Sequence, residues 1–422
     1  MQLRIEKLIY GGDGLARLPA DEHGKGKAVF MPFVLADETV EAGIVEQKPG
    51  FARARAETIV NRSPHRVEAG CPYFRQCGGC QYQHIDYAHQ VATKAGILRE
   101  NLHRIAKIEL ETELVTHASP PWNYRNRTRL KVQENSVGYY RFNSHQLQLV
   151  EQCPISSPLI NRAIAALTAQ KAAEWQKFIR EIELFADSDD SKLLVEVDAP
   201  EIRDGGVVAK ELHDLLLEIA GVVVFRTDVR SRERKQIASS GDTHLQYRIE
   251  NDEYRVSAGA FFQVNRHQIG TLVELATQGL SGEQALDLYA GVGLFSTVLS
   301  KSFAQVTAVE PSPTAHTDLL YNSSSNVKAV RATTEQFLKD AGARLRPNLV
   351  VVDPPRSGLG EMVVRKLAGM EAGKIVYVSC DPATLSRDLA GLLKAGYRVQ
   401  QAHVVDLFPQ TYHIESVFQL TR

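Results

Sequence analysis

The C-terminal part of this chain predicts an α/β fold, a doubly wound sheet of mainly parallel strands. A mixed α+β region and, at the start, an OB-like β-barrel precede it. Three observations carry this. From about Val256 onward, apolar strands alternate with helical segments. Residues 1–60 hold only short alternating runs broken by Gly, Asp and Pro. Between them lies a cysteine-bearing loop followed by one long helical pattern.

The chain has 422 residues, enough for two or three domains, and its 44% hydrophobic and 23% charged residues are an ordinary globular balance. The formal charge of −1 gives no global pull toward nucleic acid, so any basic surface has to be local. The opening "MQLRIEKLIYGG" lacks the apolar core of a signal peptide, and no apolar run reaches the length of a membrane span. A soluble cytoplasmic protein with no obligate partner is expected.

In the N-terminal part, "LRIEKLIY", "GKAVFMPF", "TVEAGIVEQ" and "FARARAETIV" read as the strands of a small barrel over residues 1–60. Such domains often bind oligonucleotides, and a structural cap is the plainer alternative. The central region, 61–255, opens on "CPYFRQCGGC". Cys71, Cys77 and Cys80 stand at C-x5-C-x2-C, and Cys153 follows in "CPIS". In a cytosolic setting this spacing favours a metal over disulfides. Zinc and an iron–sulfur centre both suit four thiolates, and spacing alone does not choose between them. The helix near 85–106, "IDYAHQVATKAGILRENLHRIA", has apolar residues at helical spacing and can pack on the C-terminal domain. Two stretches are basic, "YRNRTRLK" and "RTDVRSRERK". In the first, Arg125, Arg127 and Arg129 alternate, so a strand would project all three from one face, and Trp122 and Tyr124 interleave with them. That pattern suits phosphate and base contacts; a solvated strand edge is the plainer reading.

The C-terminal domain, 256–422, places its polar residues at strand ends. "QALDLYAGVGLFSTVLS" reads as strand, glycine loop and helix; "QVTAVEPSP", "LVVVDPPRSGLG" and "KIVYVSCDPATL" are further strands ending in polar turns. "YRVQQAHVVDLF" and "ESVFQLTR" can close the sheet as an antiparallel pair. Ligands of such sheets sit at the carboxyl ends of strands, where Asp287, Gly291, Gly293, Glu310, Asp353 and Cys380 fall. The loop "GVGLFS" has Ser296 where a dinucleotide fingerprint has its third glycine. With Asp287 before it, Glu310 placed for ribose hydroxyls and "DPP" after a later strand, it favours S-adenosylmethionine over a dinucleotide.

Taken together, "FFQVN", "DLYAGVGLFS", "VVDPPRSGL", "YVSCDPATLSRDL" and "DLFPQTYHIESV" resemble the S-adenosylmethionine-dependent RNA uracil-5-methyltransferases, and among them the 23S ribosomal RNA type. The resemblance implies a Rossmann-like class I methyltransferase domain, a TRAM domain in the N-terminal barrel, and a 4Fe–4S cluster on Cys71, Cys77, Cys80 and Cys153. It implies Cys380 as nucleophile, Glu415 as the base that removes the ring proton, and Asp353 as a contact to the target uracil. The resemblance also implies a cofactor pocket lined by Gln263, Tyr289, Glu310 and Asp353 with the loop glycines Gly291 and Gly293. Many members carry an acid or amide near "VRATTEQFL" to meet the adenine; here Ala332, Thr333 and Thr334 stand there. Ala290 replaces a common cysteine. The implied substrate is ribosomal RNA. The alternatives are the T-loop of transfer RNA, whose enzymes typically lack the barrel and the cluster, and a catalytically silent RNA-binding iron–sulfur protein.

The implied chemistry accounts for a cysteine at a strand end. A thiolate adding to carbon 6 of uracil makes carbon 5 nucleophilic, and a separate carboxylate then removes the carbon 5 proton. A free thiol has a pKa of about 8.5, so a turn into a helix N-terminus is expected to favour the thiolate. Phe261 and Phe262 can line a pocket for the unstacked base, although one of two adjacent aromatics in a strand is expected in the core.

Overall fold

The computed structural model describes residues 1–19, 26–170, 174–228, 230, 233–340 and 345–422; of the second basic stretch, residues 229, 231 and 232 lie outside that description. Six strands form the N-terminal sheet: β1 (Gln2–Arg4), β2 (Lys7–Leu8), β3 (Asp13–Arg17), β4 (Ala28–Pro32), β5 (Thr39–Gln47) and β6 (Phe51–Asn61), in the order β1-β5-β6-β4-β3-β2. They wrap one core of Leu3, Ile5, Ala16, Val29, Met31, Val40 and Ala54. Alternation decides the faces. In β6, Ala52 and Ala54 point inward while Arg53 and Arg55 face solvent.

The cysteine loop is built of turns. Asp86 then caps α1 (Tyr87–Asn101) by accepting from the His89 N–H at 2.9 Å, and the helix runs into a π-helical turn, Leu102–Ala106. Together with β7 (Leu114–His117), this segment packs on the large C-terminal sheet. Ile97, Leu98, Leu102 and Leu114 share a core with Leu385, Leu389 and Leu392.

The central sheet contains β8 (Arg127–Gln133), β9 (Ser136–Tyr140), β10 (Leu147–Leu149), β11 (Glu181–Ala186), β12 (Leu193–Asp198), β13 (Ile219–Thr227) and β14 (Arg234–Gly241), in the order β10-β9-β8-β11-β12-β13-β14. Its helices α2 (Pro158–Ala169) and α3 (Gly206–His213) bury Leu159, Ile160, Ile164, Val208 and Leu212 against the strands. A hairpin, β15 (His244–Ile249) and β16 (Asp252–Ser257), leads to the last domain, sharing a core with both neighbours through Phe185, Tyr247, Tyr254 and Leu272.

The C-terminal domain alternates α4 (Ile269–Thr277), β17 (Gly282–Leu288), α5 (Leu294–Leu299), β18 (Phe303–Val309), α6 (Pro313–Asn322), β19 (Val327–Val330), α7 (Thr334–Asp340), β20 (Leu349–Val352), α8 (Gly360–Met370), β21 (Lys374–Ser379), α9 (Pro382–Lys394), β22 (Arg398–Val405) and β23 (Glu415–Thr421). The eight-stranded order is β19-β18-β17-β20-β21-β23-β22-β7. The first five are parallel; β23 runs antiparallel between β21 and β22, and β7 closes the edge parallel to β22. β20 is buried along its whole length and β21 nearly so, which explains the continuous apolar runs "LVVV" and "IVYV".

Candidate active site

The strands β17, β20 and β21 end side by side: Leu288 pairs with Val352, and Val352 with Tyr377. The next residues outward include Tyr289, Asp353 and Cys380, so the parallel sheet itself gathers them. The antiparallel partner brings the fourth. Ser379 pairs with Ser416, so the register carried one step further sets Cys380 opposite Glu415. Opposed residues of an antiparallel pair share a face with Cα atoms about 5 Å apart. Behind them, Gln263 Nε2 donates to Asp353 Oδ2 at 3.5 Å. Phe262 is in the core, whereas Phe261 is 68% exposed and lines a cavity with Arg127, Glu183 and Arg234.

The glycine loop needs its glycines. Gly293 has φ 94°, and a Cβ there would stand 2.8 Å from Leu319 Cδ1. Gly291 (φ 56°) donates its N–H to Glu310 Oε2 at 2.9 Å, and Ser312 N–H holds the other oxygen at 2.7 Å. Tyr289 itself adopts φ 65°, an uncommon conformation for a large residue. Ser296 donates its hydroxyl to the buried Asp287, so the residue that breaks the dinucleotide pattern is used to fix the loop. Thr333 is occupied differently from an adenine contact: it caps α7. Its hydroxyl accepts from Gln336 N–H at 3.2 Å, and its own N–H donates to Gln336 Oε1 at 3.2 Å, a capping box.

The electrostatics correct one expectation. Asp381 caps α9, accepting from Ala383 N–H at 3.0 Å and Thr384 N–H at 2.9 Å. The first-turn amides are therefore spent on a carboxylate and do not favour a Cys380 thiolate. Burial pushes the Cys380 thiol up to about 12, with Glu415 and Asp353 adding and Arg356 opposing. Burial, then Asp287, pushes Asp353 up to about 7. Burial, then Asp353, holds Glu415 well above the usual carboxylate range, again opposed by Arg356. Low dielectric and clustered acids thus keep protons in the site. His413, whose Nδ1 lies 3.4 Å from Arg356 Nη2, is held down to about 3 by burial and that cation, and stays neutral.

Cys71, Cys77, Cys80 and Cys153 surround one cavity of about 190 Å³, all four as free thiols. No three Cys, His, Asp or Glu side chains among the described residues are grouped closely enough to hold one metal ion. Burial pushes the Cys77 thiol up to about 11. Arg125 lines the same cavity, and its buried Nε has no hydrogen-bond partner among the described residues. A cation facing four sulfurs fits a centre that binds them as thiolates.

The cationic face expected of Arg125, Arg127 and Arg129 is replaced by ion pairs. Arg125 precedes β8 and turns to the cysteine cavity. Arg127 is buried between Glu183 and Glu196, with Nη2 2.7 Å from Glu196 Oε1. Arg129, half-exposed, is taken by Glu181 (3.0 Å) and Glu183. The carboxylates come from β11 and β12, which the local sequence around β8 does not show. Tyr124 is likewise buried, its hydroxyl donating to Pro409 O at 3.0 Å. Four further residues border the Cys380 site. Arg356 was visible inside "DPPRSG"; Tyr10, Tyr412 and His413 are assembled only by the fold.

Residues 86–422 match the family described as tRNA (uracil-5-)-methyltransferase. The chain belongs to that family. It is therefore an enzyme that methylates carbon 5 of uracil in RNA with S-adenosylmethionine, and the reading as a catalytically silent protein falls away. It is 36% identical over 425 residues to an uncharacterized RNA methyltransferase of Aquifex aeolicus (strain VF5), covering 99% of this chain and 97% of that one. It is 32% identical over 435 residues to the 23S rRNA (uracil(1939)-C(5))-methyltransferase RlmD of Pseudomonas fluorescens, covering 99% and 93%. The crystal structure of the Pyrococcus abyssi tRNA (uracil-54, C5)-methyltransferase, in complex with S-adenosyl-L-homocysteine, superposes with TM-score 0.78 at 24% identity over 100% of both chains. This likeness establishes the α/β methyltransferase fold. No helix among the described residues is long and apolar enough to cross a membrane.

Proposed function

We propose that this enzyme methylates a uridine of 23S ribosomal RNA through a covalent adduct with Cys380. The observation that carries the mechanism is the register that sets Cys380 opposite Glu415, with Asp353 and Gln263 behind them. The Cys380 sulfur bonds to carbon 6 and its proton passes to Asp353, which leaves Glu415 ionised for the later step. Carbon 5 takes the methyl group. Glu415 then removes the carbon 5 proton, the carbon–sulfur bond breaks, and the ring regains its double bond. Asp353 and Gln263 orient the base, and Arg356 is the nearby cation that opposes the build-up of negative charge. S-adenosylmethionine supplies an electrophilic methyl group; Gln263, Tyr289, Gly291, Gly293, Glu310 and Asp353 are the residues that would hold it.

The N-terminal sheet acts in this reading as a TRAM-type RNA-binding domain. Cys71, Cys77, Cys80 and Cys153 would hold a 4Fe–4S cluster, a choice supported by four thiols spread around a cavity and by Arg125 facing them. Methyl transfer needs no electron, so the cluster shapes the loop.

Ribosomal RNA is favoured by the Pseudomonas relative, which aligns over nearly the whole chain. A second reading, transfer RNA, is favoured by the equally complete superposition on the Pyrococcus enzyme. Mapping 5-methyluridine in total RNA from cells with and without the gene separates them. Loss of one or more methyl groups from 23S RNA alone supports the proposal; loss from transfer RNA replaces it with the second reading.

A further inference from the structure

The nucleophile's backbone is touched by a residue from the far end of the chain. Tyr10 sits in the turn between β2 and β3, closed by Ile9 N–H to Asp13 O at 2.9 Å and Gly12 N–H to Ile9 O at 3.2 Å. The turn needs its two glycines, Gly11 at φ 106° and Gly12 at φ 93°; a Cβ on Gly12 would also stand 3.1 Å from Gln81 and 3.5 Å from Tyr412. The turn is thus pressed against the catalytic loop, and its aromatic residue is delivered into the site. The Tyr10 ring meets Tyr412 edge-on (5.7 Å, 84°), and Tyr412 lies 4.3 Å from the ring of His413, two residues before Glu415. The ladder of β21 ends at Ser379, and the Cys380 carbonyl beyond it receives the Tyr10 hydroxyl at 3.3 Å.

We propose that Tyr10 is a positioning residue: its hydroxyl fixes the Cys380 peptide, and its ring fixes the loop that carries Glu415, so that nucleophile and base keep their relative placement. The N-terminal sheet then serves catalysis directly as well as RNA binding. Cys380 lies past the hydrogen-bonded end of its strand, where one misplaced peptide rotation moves the sulfur away from carbon 6. A hydrogen bond to the nucleophile's own carbonyl restrains that rotation. Burial raises the Tyr10 hydroxyl above its usual range, with Asp381 adding, so it remains a donor at every working pH.

The inference rests on Cys380 being the nucleophile, and the test keeps the two apart. Full-length wild type, Tyr10→Phe and Cys380→Ala are assayed on unmodified 23S ribosomal RNA and transfer RNA transcripts, using whichever the wild type methylates. Tyr10→Phe keeps the ring and removes the hydroxyl. Its kcat should fall about five- to tenfold, as for one lost orienting hydrogen bond, with KM for RNA within about twofold of wild type. Iodoacetamide labelling of Cys380, followed by mass spectrometry of its peptide, should show a changed rate-against-pH profile in Tyr10→Phe. A variant with wild-type kcat and an unchanged profile, beside an inactive Cys380→Ala, overturns the role of Tyr10 alone. A rise in KM with kcat intact makes Tyr10 an RNA contact and equally overturns positioning. An active Cys380→Ala overturns both readings.

Discussion

Cys380 is a thiol kept protonated by its surroundings, and this shapes what its chemistry should look like. In the free enzyme the thiolate fraction grows about tenfold per pH unit while pH lies below the thiol pKa. With that pKa pushed up to about 12 by burial, Glu415 and Asp353, labelling of Cys380 by iodoacetamide should climb steadily from pH 7 to 10. An ordinary thiol levels off above about 8.5. A plateau near pH 7 would show that the helix N-terminus activates the sulfur after all. Glu415 has a separate signature. If it removes the carbon 5 proton, Glu415→Gln should add to the ring and accept the methyl group yet fail to release RNA. A denaturing gel should then show a shifted protein–RNA band that is absent in the double variant Glu415→Gln/Cys380→Ala. Normal turnover without that band rejects Glu415 as the base.

At the scale of elements, the segment between β22 and β23 decides where Glu415 stands, and distant parts of the chain hold it. The buried Lys94 of α1 pairs with Asp406 at 2.7 Å and donates to Phe408 O at 2.9 Å. Tyr87 donates to the other Asp406 oxygen at 2.9 Å. Gln410, at φ 68°, exchanges hydrogen bonds of 3.0 Å with the side chain of Gln90. The end of the cysteine loop adds Gln81 N–H (3.1 Å) and Tyr82 N–H (2.9 Å) to the Gln410 carbonyl. Lys94→Met leaves the buried Asp406 carboxylate with the Tyr87 hydroxyl but no cation, so it should cost about 3–5 kcal/mol in urea unfolding. Adding Asp406→Leu should recover much of that loss; if the single variant is as stable as wild type, the clamp does not hold the loop. This is also where the sequence stopped being legible. Strand-end placement of Cys380 and Asp353 follows from local patterns of apolar runs and Asp-Pro turns. Glu415 does not, because its position depends on the register of β23 against β21. The joining of β7 to β22, and the neutralisation of Arg127 and Arg129 by Glu181, Glu183 and Glu196, depend on contacts made far along the chain, which periodicity cannot report.

At the scale of the whole molecule, the N-terminal sheet, the cysteine loop and the turn between β9 and β10 meet at a common cleft, a second candidate path for RNA besides β8. A cavity of about 420 Å³ is lined by Phe30, Phe33, Arg55, Arg75 and Phe142. Phe33 packs on Phe142 at 4.9 Å and on Phe74 at 5.3 Å, giving aromatic faces of the kind that stack on bases. Arg53, on the same rim, is matched by Asp13 and Glu46. Arg55 and Arg75 are exposed and form no ion pair among the described residues, so their charge is available to phosphates. The rim includes Asp13, in the strand that follows the Tyr10 turn. Replacing Arg55 and Arg75 together by Ala should weaken RNA binding and reduce the slope of log affinity against log salt by up to about 1.4, near 0.7 for each single-strand phosphate released. S-adenosylmethionine affinity should hold, since Glu310, Gly291 and Asp287 lie at strand ends of the other domain. The paired arginines give the internal control. Arg129→Ala, whose charge is already spent on Glu181 and Glu183, should leave the salt slope close to wild type. If Arg129→Ala lowers the slope and the Arg55/Arg75 pair does not, the RNA runs along β8 and the cleft is not its path.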